Sequence, residues 1–311
     1  MLERKKKKDL LGLKDLSGQE IEEIISWAEK MKENSKRGVE EQFLEGKCIA
    51  LLFTKPSTRT RVSFEVAISD LGGYPLFLSA QDLQLSRGET IEDTARVLSC
   101  YVDGLVIRTF AQEEIEEYAR SGDIPVINAL TDKFHPCQIL ADILTIKEKK
   151  GKLPGLKLVY LGDGNNVANS ILIGMTKVGM DVTICCPPGY EPAEDVIALA
   201  QEIANRSGLT ALISHNPGEA VQGADVLYTD VWASMGQERD QEERARIFGP
   251  FQINSRLISR AREDAIIMHC LPAHRGEEIT DEIMSHPRCV IYDQAENRLH
   301  AQKAVLKFLY Q

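Results

Sequence analysis

The feature that most limits the folds open to this chain is a regular alternation of short apolar runs with segments of helical period, beginning at residue 48. Strand-length runs fall at 48–53, 75–79, 104–109 and 125–129, and helical patterns at 58–71, 90–101, 112–121 and 136–149. The scheme then repeats, with strands at 156–161, 181–185, 209–213, 225–229, 265–269 and 289–292 and helices near 166–178, 193–206, 217–222 and 252–261. Crossover helices cover both faces of a parallel sheet, so alternation of this kind implies an α/β fold. A length of 311 residues suits two domains of about 150 residues each, and the expected fold is two doubly wound parallel-sheet domains. The stretch Lys147-Glu-Lys-Lys-Gly-Lys-Leu-Pro-Gly155 reads as a charged linker. The expected domains are therefore 1–147 and 151–292, with a last helix at 296–311 crossing back onto the first. Residues 9–46 read as two amphipathic packing helices, the first opened by Ser17 and running to about Glu33.

Composition removes several function classes. No run approaches the ~20 apolar residues of a membrane span, and the basic start, Met-Leu-Glu-Arg-Lys-Lys-Lys-Lys8, lacks the apolar core of a signal peptide. A cytoplasmic protein is expected. The formal charge of −10, with no second basic cluster, argues against nucleic acid as a partner. Seven cysteines without a Cys-x-x-Cys pair indicate neither a disulfide framework nor a zinc knuckle.

In open α/β sheets ligands bind beyond the carboxyl ends of the strands, so the residues at those ends are the candidates. The run after the first strand, Phe53-Thr-Lys-Pro-Ser-Thr-Arg-Thr-Arg61, reads as an anion site. Pro56 biases Lys55 away from helical dihedrals, Ser57 or Thr58 can cap the following helix, and the free N–H groups of that helix start attract negative charge. Hydroxyls on Ser57, Thr58 and Thr60 add donors, and Arg59 adds a planar fork suited to phosphate. Arg59 and Arg61 stand about 200° apart on a helix of 3.6 residues per turn, so both cannot face one ligand, and Arg59 is taken as the ligand. The alternative is a capped helix with two solvated arginines. Other strand ends carry Arg108-Thr109, Asn128 followed by His135-Pro-Cys-Gln138, Gly162-Asp-Gly-Asn-Asn166, Asp230-Val-Trp-Ala-Ser-Met-Gly236 and His269-Cys-Leu-Pro272. A cleft between the two domains would gather them all.

Rival readings carry less. Gly162-Asp-Gly-Asn-Asn-Val167 follows a strand as a dinucleotide fingerprint does, but Val167 holds the third glycine position and no acidic ribose ligand stands out. No Gly-x-x-x-x-Gly-Lys-Ser/Thr run occurs. His135, His269 and His274 share no helical ligand spacing, so hydrogen-bonding roles are expected and no metal site.

Ser57-Thr-Arg-Thr-Arg61, His135-Pro-Cys-Gln138, Asp230-Val-Trp-Ala-Ser-Met-Gly236 and His269-Cys-Leu-Pro272, in this order, resemble the aspartate/ornithine carbamoyltransferase family along essentially the whole chain. The last two motifs are similar to its ornithine branch in particular. The resemblance implies that Ser57, Thr58, Arg59 and Thr60 hold carbamoyl phosphate. Arg108, His135 and Gln138 would surround its carbonyl, within the segment that includes Pro136 and Cys137, and Arg298 would add a further arginine. It implies that Gln84 enters a neighbouring subunit's site in a homotrimer. It implies that Asn166, Asp230, Ser234 and Met235 bind ornithine, with Asn128 a further candidate. Cys270 and Leu271 would line the meeting point of the two substrates, with a cis Leu271-Pro272 bond.

The implied chemistry suits these residue types. An amine attacks the carbamoyl carbon, charge grows on the carbonyl oxygen and phosphate departs, so donors are needed at two places and no cofactor is required. Arg108, His135 and Thr60 would serve the oxyanion, and Arg59 with the capped helix would serve the phosphate. The attacking amine resembles that of lysine, with a solution pKa near ~10.4, and reacts only when neutral. Asp230, Cys270 or the departing phosphate could take its proton. Alternatives within the same fold are a carbamoyltransferase for putrescine or an acylated ornithine, and a catalytically silent regulatory relative.

Overall fold

The computed structural model describes residues 7–39, 41–233 and 241–311. These described residues form two compact units, the first holding those up to 140 together with 298–311 and the second holding those between 141 and 297. In the first, α1 (Gly18–Lys36), β1 (Cys48–Phe53), α2 (Thr58–Asp70), β2 (Tyr74–Ser79), α3 (Ile91–Leu98), β3 (Gly104–Arg108), α4 (Gln112–Ser121) and β4 (Val126–Leu130) follow one another, and α5 (Pro136–Lys150) begins there. The chain passes to the second unit within α5. There β5 (Lys157–Leu161), α6 (Asn166–Lys177), β6 (Asp181–Cys185), α7 (Glu194–Ser207), β7 (Ala211–Ser214), α8 (Pro217–Ala220) and β8 (Val226–Thr229) are followed by α9 (Gln241–Phe248), α10 (Ser255–Ile258), β9 (Ile266–His269) and α11 (Asp281–Met284). The final helix, α12 (Ile291–Tyr310), starts in this unit and ends in the first.

Both sheets are parallel throughout, in the orders β2-β1-β3-β4 and β7-β6-β5-β8-β9. The central strands are buried along nearly their whole length, as covered parallel strands must be. In the first unit Leu52, Leu105, Ile107 and Val126 pack with Ile115 and Ala95. The outer edge of β4 is covered, because Leu10 N donates to Val126 O at 2.9 Å and Asn128 N donates to Leu10 O at 2.8 Å, so no bare edge is left there. In the second, Leu161, Leu227 and Ile267 pack with Ile253, Ile258 and Ile283. No described helix is long and apolar enough to cross a membrane.

Several sequence expectations need revision. Residues 289–292 are not a strand: Cys289 makes a single bridge to Ile267, and the helix α12 starts at Ile291. A second helix before residue 46 is absent among the described residues, since Gly38 and Gly46 take positive φ values of 65° and 76° and break the pattern. α1 instead runs on to Lys36, with Ser17 and Glu20 forming a reciprocal capping box. Lys147–Lys150 form the last turn of α5 rather than a linker.

Candidate functional site

Each sheet order has one place where consecutive connections leave in opposite directions, between β1 and β3 in the first unit and between β5 and β8 in the second. The crevice beyond the strand ends at such a switch point is where ligands bind in this architecture.

In the first unit Ser57 and Arg108 stand at that position. Ser57 has extended backbone and its Oγ accepts from Thr60 N at 3.2 Å, capping α2. The first turn of α2 thus presents Thr58, Arg59 and Thr60 with no acidic residue beside them. Arg298, brought in by α12 and buried, donates from Nη2 to Thr60 Oγ1 at 2.7 Å. Arg108 is buried at the end of β3, and desolvation, then Arg298 and Arg59, lower its pKa to about 10. His135 is 5% exposed at the start of α5, and burial, then Arg298, Arg108 and Arg59, hold its imidazole well below the ordinary histidine pKa. Three guanidiniums therefore surround a neutral imidazole, so the group that lowers the free energy of this region is an anion. Arg61 faces away, pairing with Glu65 at 2.9 Å and lying 3.6 Å over the Phe77 ring.

Buried polar contacts fix the turn ahead of His135. Thr131 Oγ1 donates to Gln112 Oε1 at 2.7 Å and accepts from Phe134 N at 3.1 Å, while Asn128 Nδ2 donates to Leu11 O at 2.8 Å. Asn128 thus ties down the N-terminal segment. Pro136 opens α5, where its missing N–H costs nothing. Gln138 is buried one turn along, and the Cys137 thiol, pushed up to about 12 by burial with Arg298 pulling the other way, donates to Asn128 O. Gln84 lies exposed in a separate turn, Gln84–Arg87, and its side chain bonds to no described residue.

In the second unit the switch point carries opposite charge. Asp230, 6% exposed, follows β8. Its Oδ1 accepts from Cys270 Sγ at 2.9 Å and from Val231 N at 2.8 Å, and its Oδ2 accepts from Asn165 Nδ2 at 2.8 Å. Asn165 also caps α6, its Oδ1 accepting from Val167 N and Ala168 N at 2.9 and 3.2 Å. Asn166, the residue implied by the resemblance, is half-buried as the first residue of that helix. The glycines of this turn are required: a Cβ on Gly164 would lie 2.3 Å from the backbone at Glu191 and Pro192, and Gly162 has a φ of 143°.

Cys270 and Leu271 are held by a buried pair. Leu271 N donates to His269 Nδ1 at 2.9 Å, which leaves the proton on Nε2 to be donated to Glu278 Oε1 at 2.9 Å. Leu271 is the single described non-glycine residue with positive φ, 59°, and the Leu271-Pro272 bond is cis. Donor atoms of Asp230, His269 and Cys270 lie within 4.8 Å of one another, but both nitrogens of His269 are already engaged. Ser234 and Met235 lie outside the described residues. The charged stretch that follows is helical from Gln241 onwards, with Glu242 and Glu243 at the favourable end of its dipole.

Two residues of this region carry no motif of their own in the sequence. Asn165 is hidden beside Asn166, and its role emerges once the cap of α6 is placed. Arg244 donates from Nη1 to Asp163 Oδ2 at 2.9 Å and also to Trp232 O, and it lies 5.2 Å from the Tyr190 ring. Burial raises the pKa of Asp163, with Arg244 opposing.

The family model described as the aspartate/ornithine carbamoyltransferase carbamoyl-P binding domain matches residues 8–148, and that for the Asp/Orn binding domain matches residues 154–309. The chain belongs to the aspartate/ornithine carbamoyltransferase family. A family member from Carboxydothermus hydrogenoformans named ornithine carbamoyltransferase is 56% identical over 302 residues, 97% of each chain. One from Pyrococcus furiosus named ornithine carbamoyltransferase, anabolic, is 56% identical over 96% of this chain and 95% of its own. The solved structure of the Pyrococcus furiosus enzyme superposes with a TM-score of 0.95, covering 97% of this chain and 96% of that one.

Proposed function

We propose that the chain transfers the carbamoyl group of carbamoyl phosphate to the δ-amine of L-ornithine, giving L-citrulline and phosphate, in the direction of arginine biosynthesis. The observation that carries this reading is the gathering of Arg59, Arg108 and Arg298 about the neutral His135 at the capped start of α2. A phosphate fits the helix start and Arg59. A carbonyl oxygen gaining charge fits Arg108, Arg298 and the Thr60 hydroxyl, and an uncharged His135 orients the carbamoyl group with Gln138 by hydrogen bonding rather than by giving up a proton. Ornithine belongs to the second unit, where Asp230 offers a carboxylate to an amine and Cys270 adjoins it. Asp230 steers the ammonium as it loses its proton, either to that carboxylate or to the leaving phosphate. The names of relatives at 56–57% identity support ornithine as the amine.

In this reading the enzyme is a cytoplasmic homotrimer in which Gln84 completes a neighbour's site. The apolar side chains left uncovered on α2, β2, α3 and just beyond support this: Val62 is 51% exposed, and Val66, Tyr74, Val97 and Tyr101 are exposed as well.

The test is a citrulline-forming assay with ornithine, putrescine and Nα-acetylornithine. A site that pairs both charges of the amino-acid end leaves buried polar groups unmatched when either is missing, so each analogue should fall at least about 100-fold below ornithine in kcat/KM. Comparable efficiency with an analogue removes the ornithine assignment. Failure with every amine, in a folded protein that still binds carbamoyl phosphate, indicates a silent relative.

A further inference from the structure

β9 pairs with β8 on one side, and its other edge is matched by residues that follow it in the chain. Ile267 N donates to Arg288 O at 2.9 Å and Ile267 O accepts from Val290 N at 3.0 Å. Two residues on, where the backbone points to that edge again, His269 N donates to the side-chain Oε1 of Gln294 at 2.9 Å. The helix α12 starts at Ile291 and ends the pairing segment, so a side chain from its first turn supplies the acceptor that the buried N–H requires.

Gln294 is buried, and the other end of its amide is engaged as well. Nε2 donates to Asp142 Oδ1 at 2.7 Å and to Tyr228 Oη at 3.1 Å, and Tyr228 Oη donates in turn to Asp142 Oδ2 at 3.0 Å. Burial, then the Asp142 charge, push the Tyr228 pKa well up, so the phenol keeps its proton for that bond. A donor stands opposite Oε1 and a carboxylate opposite Nε2, so the amide holds one orientation. These contacts reach both strands whose ends carry the amine site. His269 immediately precedes Cys270, Tyr228 lies two residues before Asp230, and Cys270 Sγ donates to Asp230 Oδ1 at 2.9 Å. All of these residues belong to the second unit.

We propose that Gln294 is a positioning residue for the amine half of the reaction: its amide, fixed by Asp142, locks the ends of β8 and β9 so that Cys270 meets Asp230. This rests on the handling of the amine by Asp230 and Cys270 proposed above.

The experiment compares Gln294→Met, Gln294→Glu and the exchange of Gln294→Glu with Asp142→Asn in the full-length protein, at a temperature well below the Tm of the weakest variant. Gln294→Met keeps the length and removes both polar ends. Gln294→Glu keeps an acceptor for His269 N but sets a second carboxylate against Asp142. In the exchange the acid and the amide trade places, so an N–H again lies between positions 142 and 294, while the acceptors for His269 N and for the Tyr228 hydroxyl are kept. Each single substitution should lower kcat/KM for ornithine about 10- to 100-fold and leave carbamoyl phosphate affinity within about 3-fold of the parent, and the exchange should recover all but about 5-fold. Labelling of Cys270 by iodoacetamide, followed by mass spectrometry of its peptide, should speed up at least about 3-fold in both single variants and return to the parent rate in the exchange, because a thiol no longer engaged by Asp230 is more open to the reagent. Single variants that keep the parent kcat/KM overturn the proposal, as does an exchange no better than Gln294→Glu alone or an unchanged labelling rate. An equal loss of carbamoyl phosphate affinity means a general loss of packing and overturns it too. The labelling uses no substrate, so it judges the placement of Cys270 even in a protein that forms no citrulline, an outcome that would defeat the proposed function instead.

Discussion

The two units place polar residues at the same topological position and give them opposite charge. In the first, guanidiniums from α2, β3 and α12 lie close together, and burial, then their mutual repulsion, brings Arg108 down to about 10. In the second, one buried carboxylate, Asp230, has both oxygens taken by neutral donors, a thiol and an amide. A fold that brings strand ends to a switch point provides location alone; the side chains set there decide whether an anion or a cation completes the site. In the first, a bound anion offsets the repulsion among the arginines. The second is satisfied in itself, and its carboxylate is held in place for an amine.

The largest effect should come from breaking the second site. Both oxygens of Asp230 accept, so Asp230→Asn sets an N–H against a donor whichever way the amide turns. Loss of the charge opposite a bound ammonium, in a buried setting, costs about 3 kcal/mol or more, roughly 150-fold in kcat/KM for ornithine. Carbamoyl phosphate binding, followed by equilibrium titration, should be unaltered; an equal loss there would mean that the two sites do not divide the substrates as argued.

Next in size is a paired comparison within the first unit. Arg59→Ala removes a fork of charge-assisted hydrogen bonds and should lower kcat/KM for carbamoyl phosphate 10- to 100-fold, whereas Arg61→Ala removes an exposed ion pair with Glu65 worth at most about 1 kcal/mol of stability. Steady-state kinetics of the two variants decide it, and equal losses would place both arginines on one ligand, contrary to the geometry of α2.

The smallest effect concerns His135. Its folded pKa lies below the unfolded value of ~6.5, so its contribution to stability is complete above that pH and is lost as pH falls, by at most about 1.4 kcal/mol per unit. Denaturant unfolding between pH 7 and pH 5 should show a shallower acid loss in His135→Gln than in the parent. An identical slope would mean that the imidazole is charged in the folded protein, and the anion site would then be more cationic than described.

Much of this was legible in the sequence. Uninterrupted apolar runs separated by helical periods leave no other economical arrangement than covered parallel sheets, and Ser57 capping a basic helix start is a local affair, settled by residues within one turn. Other features depend on contacts between residues distant along the chain. The segment 289–292 has the composition of a strand, but β9 finds only Cys289 beside it, and the backbone is helical from Ile291. Asn165 and Asn166 are equivalent on paper, and only the position of Asp230 distinguishes them. The strand orders that make β1/β3 and β5/β8 the switch points are likewise unreadable from a list of strands. The neutral state of His135 follows from burial beside arginines drawn from residues 59, 108 and 298. Local sequence fixes where the chain turns and which face is apolar, because those energies act between near neighbours. The charge state and partners of a buried side chain are set by groups hundreds of residues away, which the fold alone brings within reach.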